Sequence, residues 1–250
     1  MPKLSAKNGI ILINGYSFST YANAYEGTFD MGKIDVTGFS DAVQNFIPGL
    51  PMGNLTVNMF WDSTATTGVH AALSSLPTGV VSVMPEGNSI SGTTAAPAVT
   101  MPFKLANYTP RGEVAGAIEL GTLNFELNGG AATGLDQGWL IQHATVTGTT
   151  NSAETLDPLN AAVTAPCTGV LHVWTPTLTD TYVVKIQHAT TSGGAYADLV
   201  TFTLNGLTRA AERVVVASGT INKYRRVSFT RTGAAANPFG CSIIFTRGNA

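Results

Sequence analysis

Residues Asn54 to Asp62 read NLTVNMFWD, and their alternation decides the fold. Leu55, Val57, Met59 and Trp61 fall on one parity, and Asn54, Thr56, Asn58 and Asp62 on the other. A period of two means a β-strand with one buried face and one face in water. A second stretch, GAIELGTLNFEL from Gly116, has the same character but changes phase: Ile118 and Leu120 share one parity, Leu123, Phe125 and Leu127 the other. A β-bulge at Gly121 and Thr122 would reconcile the two halves and place Glu119, Asn124 and Glu126 on one polar face.

The residues before the first strand, Val36 to Gly53, read VTGFSDAVQNFIPGLPMG. Prolines and glycines make this a compact loop, with Pro48, Gly49 and Pro51 fixing its shape. It offers no nucleophile or base, only Phe39, Phe46, Ile47, Pro48 and Leu50 around a single acid, Asp41.

Working outward, short runs rich in Val, Ile, Thr and Phe recur between Gly, Pro, Asn and Ser clusters, the pattern of an all-β chain. One segment reads as a helix: Val69, Ala72, Leu73 and Leu76 recur at helical spacing before Pro77, with a single helical turn also expected around Ser40 to Asn45. The tract NGGAATGLDQG, from Asn128, is small and poor in apolar residues, and it reads as a linker over 131–138 between a domain at 1–130 and another at 139–250. Beyond it come WLIQHATV, GVLHVW, TYVVKIQH, DLVTFTL, ERVVVAS, KYRRVSF and CSIIFTR, seven strands that suit an immunoglobulin-like β-sandwich.

Of 250 residues only 11% are charged, and the formal net charge is −2. That balance argues against general binding of nucleic acid, which needs a strongly basic face. The N-terminal 130 residues carry 9 acids and 5 Lys/Arg, so the acidic bias belongs to them. Cys167 and Cys241 have no zinc spacing and read as two buried thiols, with a single bridge as the alternative. No run reaches the ~20 apolar residues of a membrane span, and the N-terminus lacks a signal-peptide core, so a product of the cytoplasm without membrane insertion is expected.

Chemistry-bearing constellations do not assemble in the sequence. His70, His143, His172 and His188 lack metal-ligand spacing, and His172, within VLHVW, reads as a satisfied core histidine. No GxSxG elbow or phosphate loop is present, so neither an enzyme nor a cofactor is expected. The basic run Lys223-Tyr-Arg-Arg226 admits a patch for nucleic acid or a phosphorylated glycan, but reads better as an edge strand charged against pairing.

In order and spacing, NGYSFSTYANAYEGTFD (Asn14 to Asp30), IDVTGFSDAVQNFIPGLPMGNLTVNMFWD (Ile34 to Asp62) and YTPRGEVAGAIELGTLNFEL (Tyr108 to Leu127) resemble the major tail tube proteins of long-tailed bacteriophages. The resemblance spans about half the chain and departs from the family at Phe60 and Trp61, where small residues are commoner. It implies a tail-tube-type β-sandwich or barrel domain, hexameric rings stacked into a tube, and residues 139–250 as a decorating sandwich outside. Asn54, Thr56, Asn58, Glu119, Asn124 and Glu126 would then line a lumen that does not grip DNA phosphate. Phe39, Asp41, Phe46, Ile47, Pro48 and Leu50 would form a stacking loop between subunits. Implied partners are other copies of the chain, the tape-measure, baseplate and terminator proteins of a tail, and double-stranded DNA in passage. The implied place is the virion, assembled in the host cytoplasm. A host-glycan-binding module on the virion surface, and an adaptor or terminator ring, are the alternatives.

Overall fold

The computed structural model describes residues 9–38, 43–60, 73, 78–88, 90, 94–111, 120–128, 136–157, 162–177, 179–234 and 237–248. The strands are β1 (Ile10–Ile13), β2 (Tyr16–Ser17), β3 (Ala22–Asp35), β4 (Phe46–Phe60), β5 (Thr78–Met84), β6 (Ala96–Arg111), β7 (Leu120–Leu127) and β8 (Asp136–Val146). They continue with β9 (Thr150–Asn151), β10 (Thr155–Leu156), β11 (Val163–Thr175), β12 (Thr181–Ala189), β13 (Ala197–Thr201), β14 (Ala210–Ile221), β15 (Tyr224–Thr232) and β16 (Phe239–Arg247). The fold is all-β, and the described strands pair antiparallel. No helix among the described residues is long and apolar enough to cross a membrane. Of the helix expected at Val69 to Leu76 only Leu73 is described, and it is helical and buried. Val43 to Asn45, expected in a helical turn, is not helical.

Two compact units divide the chain, and chain order does not separate them. Unit 1 gathers Met1–Thr20, Gly79–Thr100 and Asp136–Ala250; unit 2 is Tyr21–Thr78 with Met101–Leu135. The division at 131–138 is therefore corrected. Backbone pairing is the cause: Ala96 to Thr100 of β6 pair with Leu140 to Asp136 of β8, and β1 pairs with β5. The supposed linker residues Asp136, Gln137 and Gly138 are strand, whereas 131–135 lie outside the described residues. Gly138 shows why a glycine-rich tract deceives, since a Cβ there would sit 2.3 Å from the Phe245 carbonyl oxygen. The glycine marks close strand approach instead of a flexible tether.

Unit 1 holds the seven strands expected in the C-terminal half, arranged in two sheets. One runs β14-β11-β16-β8-β6-β5-β1-β2, using the first residues of β6; the other runs β10-β15-β12-β13, with β9 on β15. Between them Leu171, Val173, Ile243 and Phe245 meet Tyr182, Val184, Ile186, Val227 and Phe229 in one apolar core. Full burial of each such side chain contributes roughly 1.5–3 kcal/mol. The opposite parity of the first sheet is buried too: Val170, Ile244 and Leu140 pack with Leu12, Met84, Ala96 and Ala98.

That second core exists because the first sheet rolls up. Asn14 and Gly15, with φ of 47° and 85°, make the two-residue turn that joins β1 to β2. This turn docks on the far end of the same sheet: Asn14 Oδ1 accepts from the Ala211 amide, and Gly15 donates its N–H to His172 Nδ1. Arg213 of β14 likewise reaches Asp136 of β8, at 2.7 Å. Small residues at Ala96, Ala98 and Gly138 leave room for so tight a curl.

His172 sits inside the roll, fully buried. Because Nδ1 accepts from Gly15, the proton lies on Nε2, which donates to Ser82 Oγ at 2.7 Å. Ser82 passes a hydrogen bond to Thr100, and Thr100 to the Val81 carbonyl. The core-histidine expectation is met. Cys167 and Cys241 are both buried free thiols, raised by burial, Cys167 to about 11.

The basic run is neither an edge nor a simple patch. β15 is an interior strand, paired with β12 on one side and with β9 and β10 on the other. Its alternation sends Arg225 inward, where Nη2 meets Asp157 at 3.1 Å and the guanidinium lies 4.4 Å over the Phe245 ring. Arg247 joins the same carboxylate at 3.0 Å. The charge deters no pairing, because this strand is already paired on both sides.

Candidate functional site

Unit 2 contains the strand on which the fold was read. Its sheet runs β3-β4-β7-β6, the last from Met101 onward. Thr56 stands opposite Asn124 and Asn54 opposite Glu126, while Leu55 faces Phe125 and Val57 faces Leu123. Partners in register share a face, so polar and apolar residues separate from Asn54 to Met59, while at the end of the ladder Phe60 and Leu120 fall on the polar parity. Leu55, Val57, Met59, Leu123 and Phe125 are buried, and Phe125 packs edge-on to Phe103 at 4.8 Å.

Five of the six residues expected on a lumen face therefore stand together: Asn54, Thr56, Asn58, Asn124 and Glu126. Asn54, Asn58 and Glu126 are exposed, Thr56 and Asn124 half-buried. Thr56 donates to Asn124 Oδ1 at 3.0 Å, and Thr122 to Asn58 Oδ1 at 3.1 Å. These cross-strand bonds fix the amides flat on the sheet. Glu119 lies outside the described residues.

The expected bulge at Gly121 is corrected. β7 pairs with β4 from Leu120 to Glu126 with no shift, and the irregularity lies on β6, between Leu105 and Asn107. A regular β7 puts Thr122 on the polar face, where sequence reasoning had not placed it. Register adds Glu26 and Thr28 of β3 and Lys104 and Asn107 of β6 to the same face. Gly27 and the β6 irregularity had hidden these from a test for alternation. Among the side chains described on this face, Glu26 and Glu126 are carboxylates and Lys104 is a cation, and the register brings Asp30 and Arg111 to the same parity.

The supposed loop is largely strand. Phe46, Ile47, Pro48 and Leu50 belong to β4, whose fifteen residues pair with β3 down to Asp35 opposite Phe46. A register shift between Met31 and Lys33 falls opposite the proline-rich stretch, so the missing proline N–H groups leave the ladder intact on either side. Phe39 and Asp41 lie outside the described residues. At the end of this hairpin Val36, Val43, Phe46 and Ile47 are exposed, Phe46 at 50%. Thr37 stabilises the turn: its N–H and hydroxyl bond the Asp35 carboxylate, holding that carboxyl below its ordinary range. Four large apolar side chains are thus exposed together on one arm.

Among the described residues no group of three or more His, Cys, Asp or Glu converges to hold a metal.

No protein-family model matches the chain, and no curated protein matches it. Among solved structures it is similar to a chain from the virion of a native gene transfer agent particle, at 13% identity and TM-score 0.41, over 51% of this chain and 95% of that one. It is similar also to a chain from the sheath/tube terminator of the extracellular contractile injection system PVC, in the extended state, at 13% identity and TM-score 0.39, over 51% and 94%. A chain from the sheath-tube complex of the same system aligns at 12% identity and TM-score 0.38, over 50% and 88%. At that level of likeness none of them decides function.

Proposed function

We propose that the protein is a structural subunit of a phage-type tail tube. Copies associate side by side into a ring, rings stack, and the polar face of the β3-β4-β7-β6 sheet turns toward a lumen that passes double-stranded DNA. The observation that carries this reading is that face: amides and hydroxyls of β4 and β7 joined by cross-strand hydrogen bonds, with acids and bases of both signs in the same register. Such a surface neither grips phosphate nor repels it strongly, which suits a conduit. The apolar arm at Val36, Val43, Phe46 and Ile47 supplies the subunit contact.

In this reading the chain performs no catalysis and holds no cofactor. It belongs to the virion, is assembled in the host cytoplasm, and meets tape-measure, baseplate and terminator proteins at the tube's interior and ends. A terminator ring would use the same surfaces.

The deciding experiment is electron microscopy with sedimentation velocity on the purified full-length chain, over a range of concentrations and with tail-initiation proteins added. Rings or tubes with an open lumen are expected. A chain that stays monomeric in every condition overturns the proposal.

A further inference from the structure

The basic run singled out in the sequence has half of its residues unaccounted for. Arg225 turns inward, but Tyr224 and Arg226 lie on the opposite parity, on the outward face of the second sheet of unit 1. There Arg226, Gln187 and Asp198 stand in one row across β15, β12 and β13. Arg226 donates Nε–H to Gln187 Oε1 at 3.0 Å, and Gln187 donates to Asp198 at 2.8 Å. Lys185 closes the row with an ion pair to Asp198 at 2.6 Å.

Arg226 is also held from the side. Its guanidinium lies 4.0 Å from the centre of the Tyr196 ring, and the Tyr196 hydroxyl donates to Glu154. Glu154 takes two further bonds, from the Ser192 hydroxyl and the Gly193 amide, so its charge is already engaged. With Nε bonded and the plane stacked, the side chain has little freedom left to lose on binding. Its two Nη groups make no hydrogen bond among the described residues. An immobilised guanidinium with an open edge is a ready fork for a carboxylate. Lys223, 5.2 Å over the Tyr224 ring, adds a second cation beside it.

We propose that this face of β15, β12 and β13 binds a carboxylate-bearing polysaccharide, with Arg226 as the anchor for the acid group and Tyr224, Gln187 and Lys223 beside it. Arg226 stands on β15, an interior strand one strand removed from the sheet edge at β13, so a peptide adding to that edge would not lie over the anchor. Three cations against two carboxylates are too few for a nucleic acid, whose affinity rests on many phosphate contacts. Rows of polar side chains one interstrand spacing apart, about 4.8 Å, match the roughly 5 Å repeat of an extended sugar chain. This inference does not depend on the tube reading.

The test is calorimetric titration of the full-length chain with polygalacturonate fragments, with neutral dextran and duplex DNA of equal length as comparisons. Binding to the polyuronate alone is expected, weakening as salt rises. Arg226→Gln should cut affinity at least tenfold while the melting temperature moves little. Because loss of the guanidinium could loosen Tyr196, the double variant Lys223→Gln/Tyr224→Ala provides an independent arm and should also weaken binding. No binding to polyuronate, equal binding to dextran, preference for DNA, or full affinity in both variants would each overturn the proposal.

Discussion

His172 Nε2 lies 2.7 Å from Ser82 Oγ, joining residues ninety positions apart across the inside of the rolled sheet. Its other nitrogen accepts from Gly15, so the ring is neutral and both of its polar atoms are used. Burial pushes its pKa down to about 3 from an ordinary 6.5. A proton on Nδ1 would point at the Gly15 N–H and open the seam between the β1–β2 turn and β11.

Stability should accordingly depend on acid. The unfolded chain takes up this proton near pH 6.5 and the folded chain only near pH 3, so the stabilisation is complete above 6.5 and is lost as pH falls between those values. The loss amounts to roughly 4 kcal/mol by pH 3. His143 and His188, also lowered by burial, act in the same direction. His172→Gln keeps one donor and one acceptor without the titration. Urea unfolding from pH 7 to pH 4 should show a shallower decline for this variant, and parallel curves would refute the assignment.

A second prediction concerns the buried charges. Asp157 is fully buried and receives Arg225 and Arg247 together. Arg225 Nε and Nη1 have no hydrogen-bond partner among the described residues, so the carboxylate is the main compensation for that charge. Asp157→Asn strands a buried guanidinium and should cost about 3–5 kcal/mol. Asp198→Asn removes a solvent-exposed pair instead and should cost under about 1 kcal/mol. Denaturant titration of the two variants separates them, and equal losses would mean that the buried triad is not a stability element.

These contrasts show which parts of the structure leave a mark in sequence. Asn54 to Phe60 was legible because one face meets a core and the other water, and that asymmetry imprints every second residue. After residue 138, β12 and β15 were legible for the same reason, whereas β11 and β16, buried on both faces, were legible as apolar runs between turn residues. The partnership of β6 with β8 was not, since Ala96 opposite Leu140 is a choice between equally apolar strands far apart in the chain. Proline misled at Ile47 to Pro51, where a register shift accommodates a strand that its composition disfavours. Lys223 to Arg226 misled because a strand divides neighbouring charges between two faces, which counting charge does not show.

The exposed apolar arm makes the third prediction. Phe46 is half exposed in the single chain, so Phe46→Asp should leave folding stability within about 0.5 kcal/mol of the parent. If the arm seats on another subunit, the same substitution places a charge in an apolar contact and costs several kcal/mol of association. The variant should melt normally and sediment as a monomer at concentrations where the parent forms rings. Unaltered assembly would remove this arm from the interface.

The polar face makes the last. Thr56 and Asn58 project from β4 beside Asn124 and Thr122, and neither is needed for the apolar side of the sheet. Thr56→Lys with Asn58→Lys adds two positive charges to this face, at the cost of two surface hydrogen bonds worth about 1 kcal/mol each. Assembly should survive, because the buried partners Leu55, Val57 and Met59 are untouched. Phosphate passing along a repeated ring of lysines would instead be held at each ring, and the retention should weaken as salt rises. The expected outcome is tubes of normal appearance whose DNA release slows at low ionic strength and recovers at high. Release at the parent rate in low salt, with tubes intact, would show that this face does not line the path of DNA.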